Sequence, residues 1–93
     1  MALPKFLQPC LASYNLGQLN IKRDKILIIT SVLNQGGYRT LKWLTKTYGQ
    51  KEIKSVVRNP VRGMWYEWIL KYWLKIFGAK LPNQIYQKAI IKL

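Results

Sequence analysis

RNPVRGMWYEWILKYWLKIF, residues 58–77, carries three of the chain's four tryptophans, together with Tyr66, Tyr72 and Phe77. The basic residues Arg58, Arg62, Lys71 and Lys75 share the stretch with one acid, Glu67. From Met64 to Phe77 every residue except Glu67, Lys71 and Lys75 is apolar or aromatic. Those three are spaced by four, so they form one narrow polar stripe on a helix that Gly78 ends. A helix apolar over most of its girth belongs at the centre of a bundle or at an interface. Large aromatics at helical spacing bury about 150–250 Å² each. Trp68, Ile69, Trp73 and Ile76 are therefore expected to form the packed centre, with the tryptophans held between the first and second helices. A membrane-surface helix also combines Trp with Lys. Here the charged stripe is thin and three other helices need a packing partner, so no membrane contact is expected.

Upstream, QKEIKSVVRNP (50–60) reads as a short helix. Ile53, Val56 and Val57 point inward, Lys51, Lys54 and Arg58 point outward, and Pro60 stops it because the preceding residue is pushed out of helical geometry. YRTLKWLTKTYG (38–49) is another helix, with Leu41, Leu44 and Tyr48 on its apolar face and Gly49 as its stop. Arg39, Lys42 and Lys46 form a basic row on a different face, bordered by Trp43. KRDKILIITSVLNQGG, starting at Lys22, is the first helix. Asn20 is its expected N-cap, Ile26, Ile29 and Leu33 mark its apolar side, and Gly36–Gly37 is expected to supply a left-handed stop. Residues 1–20 form an irregular arm with one or two helical turns, which Leu16, Leu19 and Ile21 lay against the core. The tail PNQIYQKAIIKL makes a last amphipathic helix through Ile85, Ala89 and Ile90. The expected fold is all-α: one domain over residues 1–93, a small bundle of four to five short helices (21–90) behind an irregular N-terminal arm (1–20).

Ninety-three residues with 49% hydrophobic content suffice for one packed core. Sixteen Lys/Arg stand against three acids, Asp24, Glu52 and Glu67, for a net charge of +13. On so small a domain most cations face solvent, and the field they create selects anionic partners. The chain has no histidine and one cysteine, which excludes an internal disulfide and any zinc-ligand spacing. Three scattered acids offer no carboxylate pair for acid–base work. Cys10 lacks a histidine to activate it and is expected to be a small buried apolar residue. Gly36–Gly37 is no phosphate loop. The chain is therefore expected to be non-enzymatic and to need no cofactor. MALPKFLQPCLASY is broken by Pro4 and Pro9 and makes a poor signal peptide. No run approaches the roughly 20 apolar residues that span a bilayer, so a cytoplasmic protein is expected.

The two middle helices, meeting at Gly49, have the order of a helix-turn-helix, a pattern of low specificity. Arg39, Lys42, Lys46, Lys54, Arg58 and Arg62 are the candidate binding residues. The last two bracket Pro60 on a turn whose arginines suit a phosphate or an acidic cleft.

Four motifs carry a resemblance over roughly residues 11–90. They are YNLGQLNI, IITSVLNQG, WLTKTYGQKEI, and the basic turn with its aromatic helix, RNPVRGMWYEWILKYWLKIFG. In these the chain resembles a family of small helical bacterial proteins encoded beside AbiEii-type nucleotidyltransferases, the toxin components of abortive-infection toxin–antitoxin systems. The motifs consist of packing residues and turns. The resemblance implies an antitoxin-like or accessory role beside an acidic partner protein such as that nucleotidyltransferase. A DNA- or RNA-binding domain, acting mainly through phosphates and serving as a transcriptional autoregulator, is the alternative. Antitoxins often do both.

Overall fold

The computed structural model describes residues 3–92, and among these it is built from helices alone. Five α-helices follow two short 3₁₀ helices: Lys5–Leu11 and Leu16–Gln18 (3₁₀), then α1 (Lys25–Gln35), α2 (Tyr38–Thr47), α3 (Gln50–Arg58), α4 (Glu67–Ile76) and α5 (Asn83–Ala89). The all-α bundle expected from the sequence is present.

The central element is α1. Six consecutive residues, Ile28 to Leu33, are buried, so neighbours cover this helix on every side. The first 3₁₀ helix, α2, α3 and α4 all pack against it. Ile26 departs from the expected apolar side and is exposed. The chain enters α1 through a turn that Asn20 organises. Its Oδ1 accepts the amides of Lys22 (2.8 Å) and Arg23 (2.9 Å), while its own amide donates to Asp24 Oδ2 (2.8 Å). Asn20 therefore organises the turn before the helix rather than capping it as expected: regular α-helix begins at Lys25, and its N-cap position is Asp24, without a side-chain cap bond.

The stop at Gly36–Gly37 works differently from the expectation. Neither glycine has positive φ; both are extended. Gly36 is required for space, because a Cβ there would lie 2.5 Å from the Val32 carbonyl oxygen and closer still to Thr40 Oγ1. Gly49 is also extended and starts α3, whereas α2 ends at Thr47. The left-handed positions are Gly63 (φ 70°) and Gly78 (φ 61°). Gly78 closes α4 with a paired C-terminal motif, its amide donating to Lys75 O (3.2 Å) and that of Ala79 to Leu74 O (2.9 Å).

The N-terminal arm contributes to the core. Leu3 is buried, and Leu7, Cys10 and Leu11 are buried on the 3₁₀ helix that packs against α1, while Leu16, Leu19 and Ile21 are half-buried. Cys10 is buried as expected, and that burial raises its thiol pKa.

The expectation for the aromatic stretch is corrected in two ways. Helix α4 starts at Glu67, and Trp65 lies before it in extended backbone. There Trp65 pairs in parallel with the C-terminal segment, donating its amide to Ala89 O (3.0 Å) and accepting from the Ile91 amide (2.7 Å). Trp65 is the fully buried tryptophan. Trp68 and Ile76, expected at the packed centre, are 64% and 55% exposed. Trp73 and Ile69 are half-buried. The physical reason is that α1 already holds the centre, so α4 covers only one side of it. Leu70 and Leu74 face inward, and the opposite face meets solvent. Asn34 fixes the start of α4 by accepting the Tyr66 amide (3.0 Å) while donating to Thr30 O (2.8 Å). In α5, Ala89 is buried while Ile85 remains exposed.

Candidate nucleic-acid interface

Helices α2 and α3 are joined by Tyr48–Gly49, both in extended conformation, and each packs on α1. This is the local order of a helix-turn-helix resting on a supporting helix. The inward faces are Thr40 and Leu44 on α2, and Ile53, Val56 and Val57 on α3. Helical geometry then directs Arg39, Lys42 and Lys46 away from the core on α2, and all three are exposed. On α3 the same geometry collects Lys51, Lys54, Ser55 and Arg58 on the outer face. With Asn59 they line a shallow depression of about 350 Å³.

The six candidates divide into three groups. Arg39, Lys42 and Lys46 share the α2 row. The Arg39 guanidinium sits 4.3 Å from the centre of the Phe6 ring, a cation–π contact that steadies it. Lys54 and Arg58 come together on α3. Arg62 lies apart, lining another depression with Gly63, Gln87, Lys88 and Lys92. Arg58 and Arg62 therefore do not share one recess, although both flank Pro60. The corner itself is stiff, since the Gly63 amide donates to Lys88 O (2.9 Å).

Among the described residues each acid has a cation beside it, and of the three acids only Glu52 lies on α2 or α3, where it shares a depression with Lys51, Ser55 and Asn59. Arg23 meets Asp24 (2.9 Å), Lys25 meets Glu52 (3.5 Å) and Lys71 meets Glu67 (3.6 Å). Hydrogen bonds from Arg23 and from the Asn20 backbone hold the Asp24 carboxyl below its ordinary pKa. The α2 row thus carries no acid, and the one acid of α3, Glu52, is turned toward Lys25 of α1 at the edge of the α3 cations. No cluster of His, Cys, Asp or Glu able to hold a metal exists among them. No helix there is long and apolar enough to cross a membrane.

Sequence reasoning misses two features. Tyr38, in the first turn of α2 beside the basic row, is 82% exposed. A Tyr directly after two glycines, one turn before Lys42, is the available signal. The exposed row Trp68, Tyr72 and Ile76 on α4 is the second; its spacing of four is visible in the sequence but reads as core.

The chain belongs to the family of unknown function DUF6922, whose model matches residues 7–57. That span runs from the first 3₁₀ helix almost to the end of α3. No curated protein and no solved structure matches the chain.

Proposed function

We propose that this protein is a non-enzymatic, antitoxin-like binding module of the cytoplasm whose α2–α3 unit grips nucleic acid through its phosphates. The observation that supports the reading is the basic surface of those two helices, on which six cations stand against the one acid Glu52, itself paired with Lys25. Arg39, Lys42 and Lys46 lie on one, Lys51, Lys54 and Arg58 on the next. Phosphate contacts position a protein on a duplex, and Ser55 adds a neutral donor among the cations of α3. Six neutralised phosphates would give a log–log salt slope of about −5 on B-DNA. In an antitoxin-like protein such binding serves autoregulation of its own operon.

A duplex and a tRNA, each titrated at several salt concentrations, provide the test. The Lys51→Glu/Lys54→Glu variant should flatten the slope and weaken binding at least tenfold while the helical signal persists. A shallow slope in the unaltered protein, or an unchanged variant, sinks the proposal.

The same basic surface also supports a second reading. An acidic partner protein, such as the nucleotidyltransferase that the family resemblance implies, offers a cleft built to receive a polyanion, and a basic helical surface complements its acidic rim. Co-purification with and without nuclease separates the two, because a nucleic-acid bridge disappears on digestion and a direct protein contact survives it.

A further inference from the structure

The exposed face of α4 adjoins the basic surface only at its C-terminal end, where Ile76 and Phe77 meet Lys51 and Lys54. Trp68, Tyr72 and Ile76 stand one turn apart and are 64%, 56% and 55% exposed. A contiguous apolar row of this size on a small basic domain marks an interaction surface. Tyr66 stacks on Trp68 with ring centres 5.0 Å apart and planes 16° from parallel, so one face of the indole is already covered. Ile76 is also the lip of a groove of about 370 Å³ between α2, α3 and α4, walled by Leu41, Leu44, Ile53, Trp73 and Phe77.

Charge borders this apolar strip on two sides. Lys71 and Lys75 run beside Trp68 and Tyr72 along α4; Lys71 is paired with Glu67, so Lys75 is the uncompensated cation of that side. Across the groove, Lys51 and Lys54 share a depression with Ile76 and Phe77. The strip therefore lies between two cationic rails. A second copy of this chain, itself at +13, would meet like charge there. A nucleobase would find one face of Trp68 occupied and a groove walled largely by aliphatic side chains. An amphipathic helix with aliphatic anchors one turn apart and acidic flanks matches both the groove and the rails.

We infer that the Trp68–Tyr72–Ile76 face of α4, with the groove beside it, docks an acidic amphipathic helix of a partner protein. The inference does not depend on nucleic-acid binding by α2 and α3, although the two surfaces share Lys51 and Lys54, and it gives the partner-protein reading an apolar face that phosphate contacts would not use.

The probe is a labelled synthetic peptide with leucines at helical spacing i, i+4 and i+7 on a glutamate background. A scrambled peptide of identical composition and single-stranded oligothymidine complete the comparison, read by fluorescence anisotropy. The ordered peptide should bind at least tenfold tighter than the scramble. Trp68→Ala and Ile76→Asp should each remove that preference, and Lys75→Glu should weaken binding of the ordered peptide. Trp68→Ala should leave duplex binding unchanged, so failure here is distinct from failure of the nucleic-acid reading. Equal binding of ordered and scrambled peptides overturns the inference, because charge alone would then explain capture. Oligothymidine binding that depends on Trp68 overturns it as well, in favour of a base-stacking surface. If Ile76→Asp unfolds the groove, the exposed Trp68 variant decides the matter alone.

Discussion

The Tyr48 hydroxyl donates a 2.7 Å hydrogen bond to the Ile21 carbonyl and so ties the end of α2 to the turn that starts α1. The ring is buried, with Trp43 edge-on at 6.3 Å between centres. Burial pushes the phenol pKa up to about 12, and the charges of Glu52 and Asp24 add to the rise. A raised pKa in the folded state means that the folded protein holds this proton more tightly than the unfolded chain. The contribution is present in full below the unfolded value near 10 and is lost as pH rises toward about 12. Tyr48→Phe should cost about 1 kcal/mol at neutral pH through the lost hydrogen bond. It should also lessen the fall in melting temperature between pH 10 and 12. Spectrophotometric titration should show one fewer late-ionising tyrosine in the variant.

Trp65 and Trp68 are three residues apart and should behave oppositely. Trp65 is fully buried beside the C-terminal segment. Its replacement by Ala leaves a large cavity, at about 3–5 kcal/mol, and should lower the melting temperature by more than about 12 °C. Trp68 is exposed, and Trp68→Ala should change stability by less than about 1 kcal/mol, mainly through the stack with Tyr66. Equal losses in thermal melts would mean that α4 is turned differently.

The same pair marks how far the sequence can be read. The helices and their order follow from local pattern, such as the inward Ile53, Val56 and Val57 or the stop at Gly78, whereas the conformations of Gly36, Gly37 and Gly49 do not. What local pattern conceals is which helix is central. IKRDKILIITSVLN looks amphipathic because Thr30 and Ser31 interrupt it, yet both are buried. Small hydroxyl residues fit where neighbouring helices approach closely, so their polarity misleads. WYEWILKYW looks like core because aromatics usually are, and only the prior occupation of the centre by α1 exposes it. The basic rows are visible from spacing, since outward direction on a helix is fixed once the inward residues are known. The separation of Arg62 from Arg58 is hidden, because it depends on the pairing of residues 63–65 with 88–91.

Asn34 spans the gap between α1 and α4 with one side chain, accepting the Tyr66 amide and donating to Thr30 O. Asn34→Ala leaves that half-buried amide without its partner and should cost about 1–2 kcal/mol. Hydrogen exchange should quicken most at Tyr66 and in the first turn of α4. A loss spread evenly over the bundle would show that Asn34 does not hold this joint locally.

The division between Arg58 and Arg62 yields a test of the extent of the basic interface. Arg58 shares the outer face of α3 with Lys51 and Lys54, whereas Arg62 faces the C-terminal segment beside Lys88 and Lys92. If phosphates lie along α2 and α3, each cation there neutralises about one of them. Arg58→Ala should then reduce the magnitude of the salt slope on duplex DNA by about 0.9. Arg62→Ala should leave the slope unchanged and alter affinity only through the weaker long-range field. Both arginines are exposed, so each substitution should leave stability within about 0.5 kcal/mol. A slope reduced equally by both variants would extend the contact around the Pro60 corner to Lys88 and Lys92. A slope reduced by Arg62→Ala alone would move the interface off α3 and onto the C-terminal segment.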